Sequence, residues 1–139
     1  MQLIKTLSTT FLIAVTTLLS CRKDNTTTKP EHEKLSATIN IMSPYPNQVF
    51  KYGDTVKIVA DVFAETKMHG CNTIILNQRG DTLFSANAHE HGSSIRLEKE
   101  WINNIVTTNT LTLKLICFMD HDGNTCEKTQ TIQTQSEQK

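Results

Sequence analysis

Leu111, Leu113, Leu115, Cys117 and Met119 form an unbroken row of alternate apolar residues. In an extended chain such residues share one face, whereas on a helix they would be spread around the axis. The same period recurs at Ala37, Ile39 and Ile41, and at Val56, Ile58, Ala60 and Val62, and it marks half-buried strands. Turn-forming residues separate the runs: Ser43-Pro-Tyr-Pro-Asn-Gln48, Tyr52-Gly-Asp54, Gln78-Arg-Gly-Asp81 and Asp120-His-Asp-Gly-Asn124. The one helical candidate, Glu98 to Val106, is short. The pattern predicts seven strands, at 36–42, 54–63, 71–78, 81–86, 93–99, 109–119 and 125–133. Seven short antiparallel strands with regular turns call for an all-β sandwich of two sheets.

The segments flanking this pattern differ in kind. Residues 1–20 hold a short positive leader ending at Lys5, then an apolar run from Thr6 to Leu19 interrupted by Thr and Ser. That run is too short and too polar to span a bilayer, which takes about 20 mostly apolar residues, and it matches a secretory leader. It ends Leu18-Leu19-Ser20-Cys21, which resembles the lipobox of bacterial lipoproteins, where cleavage leaves the Cys as an acylated first residue. Leu19 departs from the commoner small residue at that place. The resemblance implies lipidation of Cys21 and a membrane anchor made by acyl chains. Residues 21–34 have almost no apolar side chains and read as a flexible tether that includes His32. The sandwich is expected over 35–134, and 135–139 reads as a frayed tail.

The chain has 14 Lys and Arg against 14 Asp and Glu. The leader contains one charged residue, Lys5, so its removal leaves a net charge of about −1 with neutral histidines, and no basic surface calls for nucleic acid. With Cys21 acylated, Cys71, Cys117 and Cys126 remain. In an oxidising compartment two of them form a disulfide and one is left as a thiol; sequence leaves the three pairings open.

Ile41-Met-Ser-Pro-Tyr-Pro-Asn47, then Tyr52-Gly-Asp-Thr-Val56, resembles the opening of immunoglobulin-like and fibronectin-like modules of bacterial extracellular proteins. Asp120-His-Asp-Gly-Asn124 resembles the hairpin that closes them. The likeness covers most of residues 36–133. Together with the leader, and with Met-His-Gly in one loop and His-x-His-Gly in another, the chain resembles short bacterial envelope lipoproteins bearing such a domain, a family without an assigned activity. It implies a fold and an address, and no active site. Arg22, in place of the Asp that often retains lipoproteins at the inner membrane, points to the outer membrane, on its periplasmic or surface face.

Each strand of such a sandwich reverses the last, so alternate loops share an end. His69 lies between the second and third strands, His89 and His91 between the fourth and fifth, and His121 between the sixth and seventh. All four are thus expected at one pole, with Met68, Met119, Glu90, Asp120 and Asp122 beside them and Cys71 and Cys126 near the same rim. Imidazole suits zinc and copper, and thioether sulfur suits Cu(I). The candidate ligands are His69, His89, His91, His121, Met68 and Met119, with Cu or Zn as cofactor. A metal transport or resistance system, or another envelope protein, is the expected partner. The competing expectation is a polar rim of turn histidines, as in the His69-Gly70 and His91-Gly92 pairs, on an accessory module that binds a protein or glycan and no metal.

Other motifs read as structure. Asp120-His-Asp-Gly-Asn124 resembles the start of a calcium loop of the EF-hand or dockerin kind, but it lacks the distant bidentate Glu and the following helix, and a tight hairpin explains it. Arg79-Gly80-Asp81 is a hairpin whose Gly supplies positive φ. Trp101 is expected as a core or rim plug, with Tyr45 and Tyr52 at its end a weak sugar-stacking surface. There is no Gly-x-Ser-x-Gly, no His-Glu-x-x-His and no phosphate loop. His89-Glu-His91 lacks the i, i+4 spacing of the helical zinc motif. The sequence points to a binding protein and not an enzyme.

Overall fold

A computed structural model describes residues 35–136. Eight strands occupy them: β1 Ala37–Ser43, β2 Val49–Lys51, β3 Thr55–Met68, β4 Gly70–Leu76, β5 Thr82–Ala88, β6 Gly92–Ile102, β7 Asn109–Phe118 and β8 Thr125–Gln135. One sheet has the order β1-β3-β6, the other β2-β8-β7-β4-β5. The expected lipidation at Cys21 and the tether lie outside the described residues. β8 ends one residue inside the segment read as a tail.

The alternation predicted from sequence is what joins the sheets. Val56, Ile58, Ala60 and Val62 of β3 and Ile95, Leu97 and Trp101 of β6 are buried on one side, against Ile75 of β4, Leu111, Leu113 and Leu115 of β7 and Ile132 of β8. Their strand neighbours point outward; Lys57, Arg96 and Glu98 are exposed. Apolar burial of this kind drives the fold, and truncating one such Leu to Ala costs about 2–5 kcal/mol.

Four expectations are corrected. β2 makes an eighth strand, paired in parallel with β8 from Val49 to Lys51; three residues carry no visible period, and Phe50 alone is buried there. The helical candidate at Glu98 is the second half of β6, which pairs with β3 as far as Thr55 opposite Ile102. β3 runs on to Met68 through an irregularity between Phe63 and Met68, so a single residue, His69, links it to β4. The strands also do not form a simple meander, because the connections β3–β4, β5–β6 and β6–β7, and both connections of β2 to its chain neighbours, pass from one sheet to the other. The reversal of direction survives this crossing, and the reversal decides which pole each loop reaches.

At one pole, Asn103 is buried and both polar atoms of its amide have partners. Its Nδ2 donates to the carbonyls of Phe50 and Lys51 at 3.4 and 2.8 Å, and its Oδ1 accepts from the N–H of Ile105 at 3.0 Å. Trp101 is packed into the core nearby in sequence, while Tyr45 and Tyr52 are exposed, so the three aromatic rings present no common platform.

Candidate metal centre

The register brings three connections together at the other pole. Met68, the last residue of β3, lies opposite Gly92 at the start of β6. Gly70 lies opposite Phe118 at the end of β7, and Cys71 opposite Ala88 at the end of β5. The link His69, the loop His89-Glu90-His91 and the turn after Phe118 therefore meet. The N–H of His69 donates to the carbonyl of Phe118 at 2.8 Å, which ties the first connection to the third.

Gly70 permits the approach of the first connection to the second. Its φ is +123°, and a Cβ there would collide with the carbonyl oxygen of Ala88 and lie 3.3 Å from the Cα of His89. No L side chain fits that conformation or that space. The His-Gly pair is thus a device for laying one histidine loop flat against another. Gly80, with φ +87°, has the hairpin role expected from its sequence.

The four imidazoles form one connected group. His69 is its centre: its ring centroid is 3.9 Å from that of His121, tilted by 48°, and 5.1 Å from that of His91, nearly perpendicular at 89°. His89 joins through His91, with centroids 4.8 Å apart and the two Nε2 atoms 3.3 Å apart. His69 is half-buried, the other three are exposed, and the buried Nδ1 of His69 has no hydrogen-bond partner. Loss of hydration holds the His69 pKa below its ordinary 6.5, helped by the neighbouring His121 and His91 and opposed by Asp120. The shift favours the neutral form that a metal needs. Among the described residues, no three His, Cys, Asp or Glu side chains converge on one ion as the rings stand.

The other expected residues are placed as follows. Met68 and Met119 are both buried members of the apolar core. Asp120 serves its own turn: Oδ1 accepts from the N–H groups of Asp122 and Asn124 at 2.9 and 3.0 Å, and Oδ2 from the Asn124 amide. Those bonds, the Asn124 amide first, hold the Asp120 carboxyl below the usual carboxylate range. With Gly123 at φ +90° the loop is a structural turn that presents His121. Cys71 and Cys117 form a disulfide, and Cys126 is a free thiol.

No protein-family model matches the chain, and no curated protein does. Among solved structures it is similar to the fibronectin(III)-like modules of CbhA from Clostridium thermocellum, with 16% identity and a TM-score of 0.51 over 73% of this chain and 100% of that one. The fold is an immunoglobulin- and fibronectin-like β-sandwich. CopC from Methylosinus trichosporium OB3b aligns with 9% identity and a TM-score of 0.45, covering 73% of this chain and 98% of that one. The CARDB domain of PF1109 from Pyrococcus furiosus, solved in complex with di-metal ions, aligns with 10% identity and a TM-score of 0.48, covering 76% and 97%. At 16% identity the likeness to the fibronectin(III)-like modules speaks to the fold and to nothing bound by it.

Proposed function

We propose that this protein is an envelope lipoprotein, anchored through Cys21, that binds a copper or zinc ion with His69, His89, His91 and His121. It sequesters or delivers the ion for a larger transport or resistance system, and its work is binding and not catalysis. The observation that carries this reading is the meeting of four imidazoles, from three connections far apart in sequence, with the half-buried His69 among them holding an unpartnered nitrogen. An orphaned buried polar atom is costly in a folded protein, and an ion is one partner that would relieve it.

The spacing within the His89–His91 pair supports the same reading. Two nitrogens bound to one ion at about 2.0–2.1 Å and the tetrahedral angle are about 3.3–3.4 Å apart. The two Nε2 atoms stand at 3.3 Å, the separation that one ion would impose on them. Bringing His69 and His121 into the same sphere calls for rotation about the last side-chain torsion, which is soft for histidine.

Titration of the metal-free full chain with Zn(II) and Cu(II), followed by calorimetry, tests this. One ion per chain at micromolar or tighter affinity is expected, falling at least about 100-fold in the His89→Ala, His91→Ala double variant, on the scale of losing two ligands. An undiminished affinity in that variant, or no binding by the parent chain, overturns the reading and leaves an accessory module for a protein or glycan partner.

A further inference from the structure

The three cysteines of the sandwich lie in one row of the five-stranded sheet. Cys117 on β7 is opposite Cys71 on β4 on one side and opposite Cys126 on β8 on the other. Directly opposed residues of antiparallel strands carry their side chains on the same face. Cys71 and Cys117 are buried and disulfide-bonded, and Cys126 is half-buried with its thiol donating to the carbonyl of Ala37 at 3.1 Å. The Cα atoms of Cys71 and Cys117 are 4.1 Å apart, the close spacing of a non-hydrogen-bonded pair. A strand residue aims its N–H and C=O to one side, so those of Cys117 face β8. Cys117 and Cys126 are then the hydrogen-bonded kind of pair, with Cα atoms about 5.5 Å apart, a span that a disulfide bridges.

We propose that Cys71 is a masked ligand of the histidine site, released when Cys126 exchanges into the disulfide. The Cys126 thiolate, its proton given to solvent, attacks the Sγ of Cys117. The Cys117–Cys126 bond forms as the Cys71–Cys117 bond breaks, and Cys71 leaves with the electron pair. One disulfide and one thiol exist before and after, so no oxidant or reductant is consumed. The strand order β8-β7-β4 puts nucleophile and leaving group on opposite sides of the attacked sulfur.

The exchange moves the free thiol along this row from β8 to β4, the strand that follows His69. Cys71 is two residues after His69, and its partner across the strands, Ala88, directly precedes His89. A thiolate there adds sulfur to an imidazole set, the mixed donors of zinc and Cu(I) sites. The ligand role rests on metal binding by the histidines; the exchange itself does not.

The test uses the full chain with Cys21→Ser, held without air or added thiol at mildly alkaline pH, quenched in acid and mapped for disulfides by mass spectrometry. A minor share of chains bridged Cys117–Cys126 is expected, rising roughly tenfold with excess Zn(II), which favours the isomer that offers it a thiolate. Zn(II) has no redox chemistry of its own to confuse the result. Cys71→Ser should form the Cys117–Cys126 bridge on mild oxidation of the folded protein. A Cys71–Cys117 bridge alone, with and without Zn(II), or two free thiols in oxidised Cys71→Ser, overturns the exchange. A Cys117–Cys126 share that Zn(II) leaves unchanged overturns the ligand role. Cys126→Ser cannot exchange, so its Zn(II) affinity measures the four histidines alone and shows separately whether that reading fails.

Discussion

At the pole of Asn103, a buried amide meets two carbonyls and one N–H, and the backbone closes around it: Gly53 donates to the Asn103 carbonyl and Asn103 to that of Asp54, each at 2.8 Å. At the pole of His69, a buried nitrogen has no hydrogen-bond partner, two exposed imidazoles lie against its ring, and a third lies against one of these. One end of the sandwich is closed by a side chain whose polar atoms all have partners. The other is held together by a backbone contact at Gly70 and carries side chains whose bonding is incomplete. Complete networks hold a fold in one state. Incomplete ones mark places where structure has been arranged for something else.

Substitutions at the two poles should therefore fail in different ways. The largest effect is expected for Gly70→Ala, which forces an L residue into φ +123° and drives its Cβ onto the Ala88 carbonyl. A loss of about 3 kcal/mol in urea unfolding is expected, together with loss of metal affinity and displaced imidazole NMR signals. Unchanged histidine signals would show that the backbone contact does not hold the cluster. Asn103→Ala comes next, at about 2 kcal/mol, because two carbonyls and an N–H lose their partner. It should raise hydrogen exchange at Ile105 while leaving metal affinity within about twofold, as distant sites act independently. A fall in metal affinity as large as that of the histidine variant would mean that the two poles are coupled.

The smallest effect is expected from pH. The folded His69 has a pKa below its ordinary 6.5, so the unfolded chain takes up the proton first. Stability is then full above 6.5 and falls as pH drops from there through the lower folded value. Asp120, held below its ordinary 3.8, contributes stability above that value and loses it as pH falls through the folded one. Metal-free urea midpoints across this range should decline in two separate steps, and His69→Gln should remove the upper one. A profile unaltered by His69→Gln would detach that histidine from the acid sensitivity. Asn103 itself has no proton to gain.

Much of this contrast was legible in the residues. The alternate apolar row from Leu111 placed β7 and its buried face correctly, and Met119 shows how that signal competes with another. As a sulfur two residues before His121 it reads as a ligand, and it also continues the Leu111 row and is buried with it. Asp120 likewise reads as an oxygen donor and is taken up by its own turn. β2 escaped notice because three residues cannot display a period of two, and their pairing depends on β8, more than eighty residues away.

Local chemistry decided what the chain alone could decide: where strands run, where they turn, which faces are apolar, and hence that His69, His89, His91 and His121 share a pole. Those properties depend on neighbours within a few residues, so order along the chain contains them. Sheet register depends on pairing between distant strands, and only the folded structure supplied it. Register chose Cys71 and Cys117 from three possible bridges, set Cys126 on the other flank of Cys117, and laid Gly70 on Ala88 so that four rings touch.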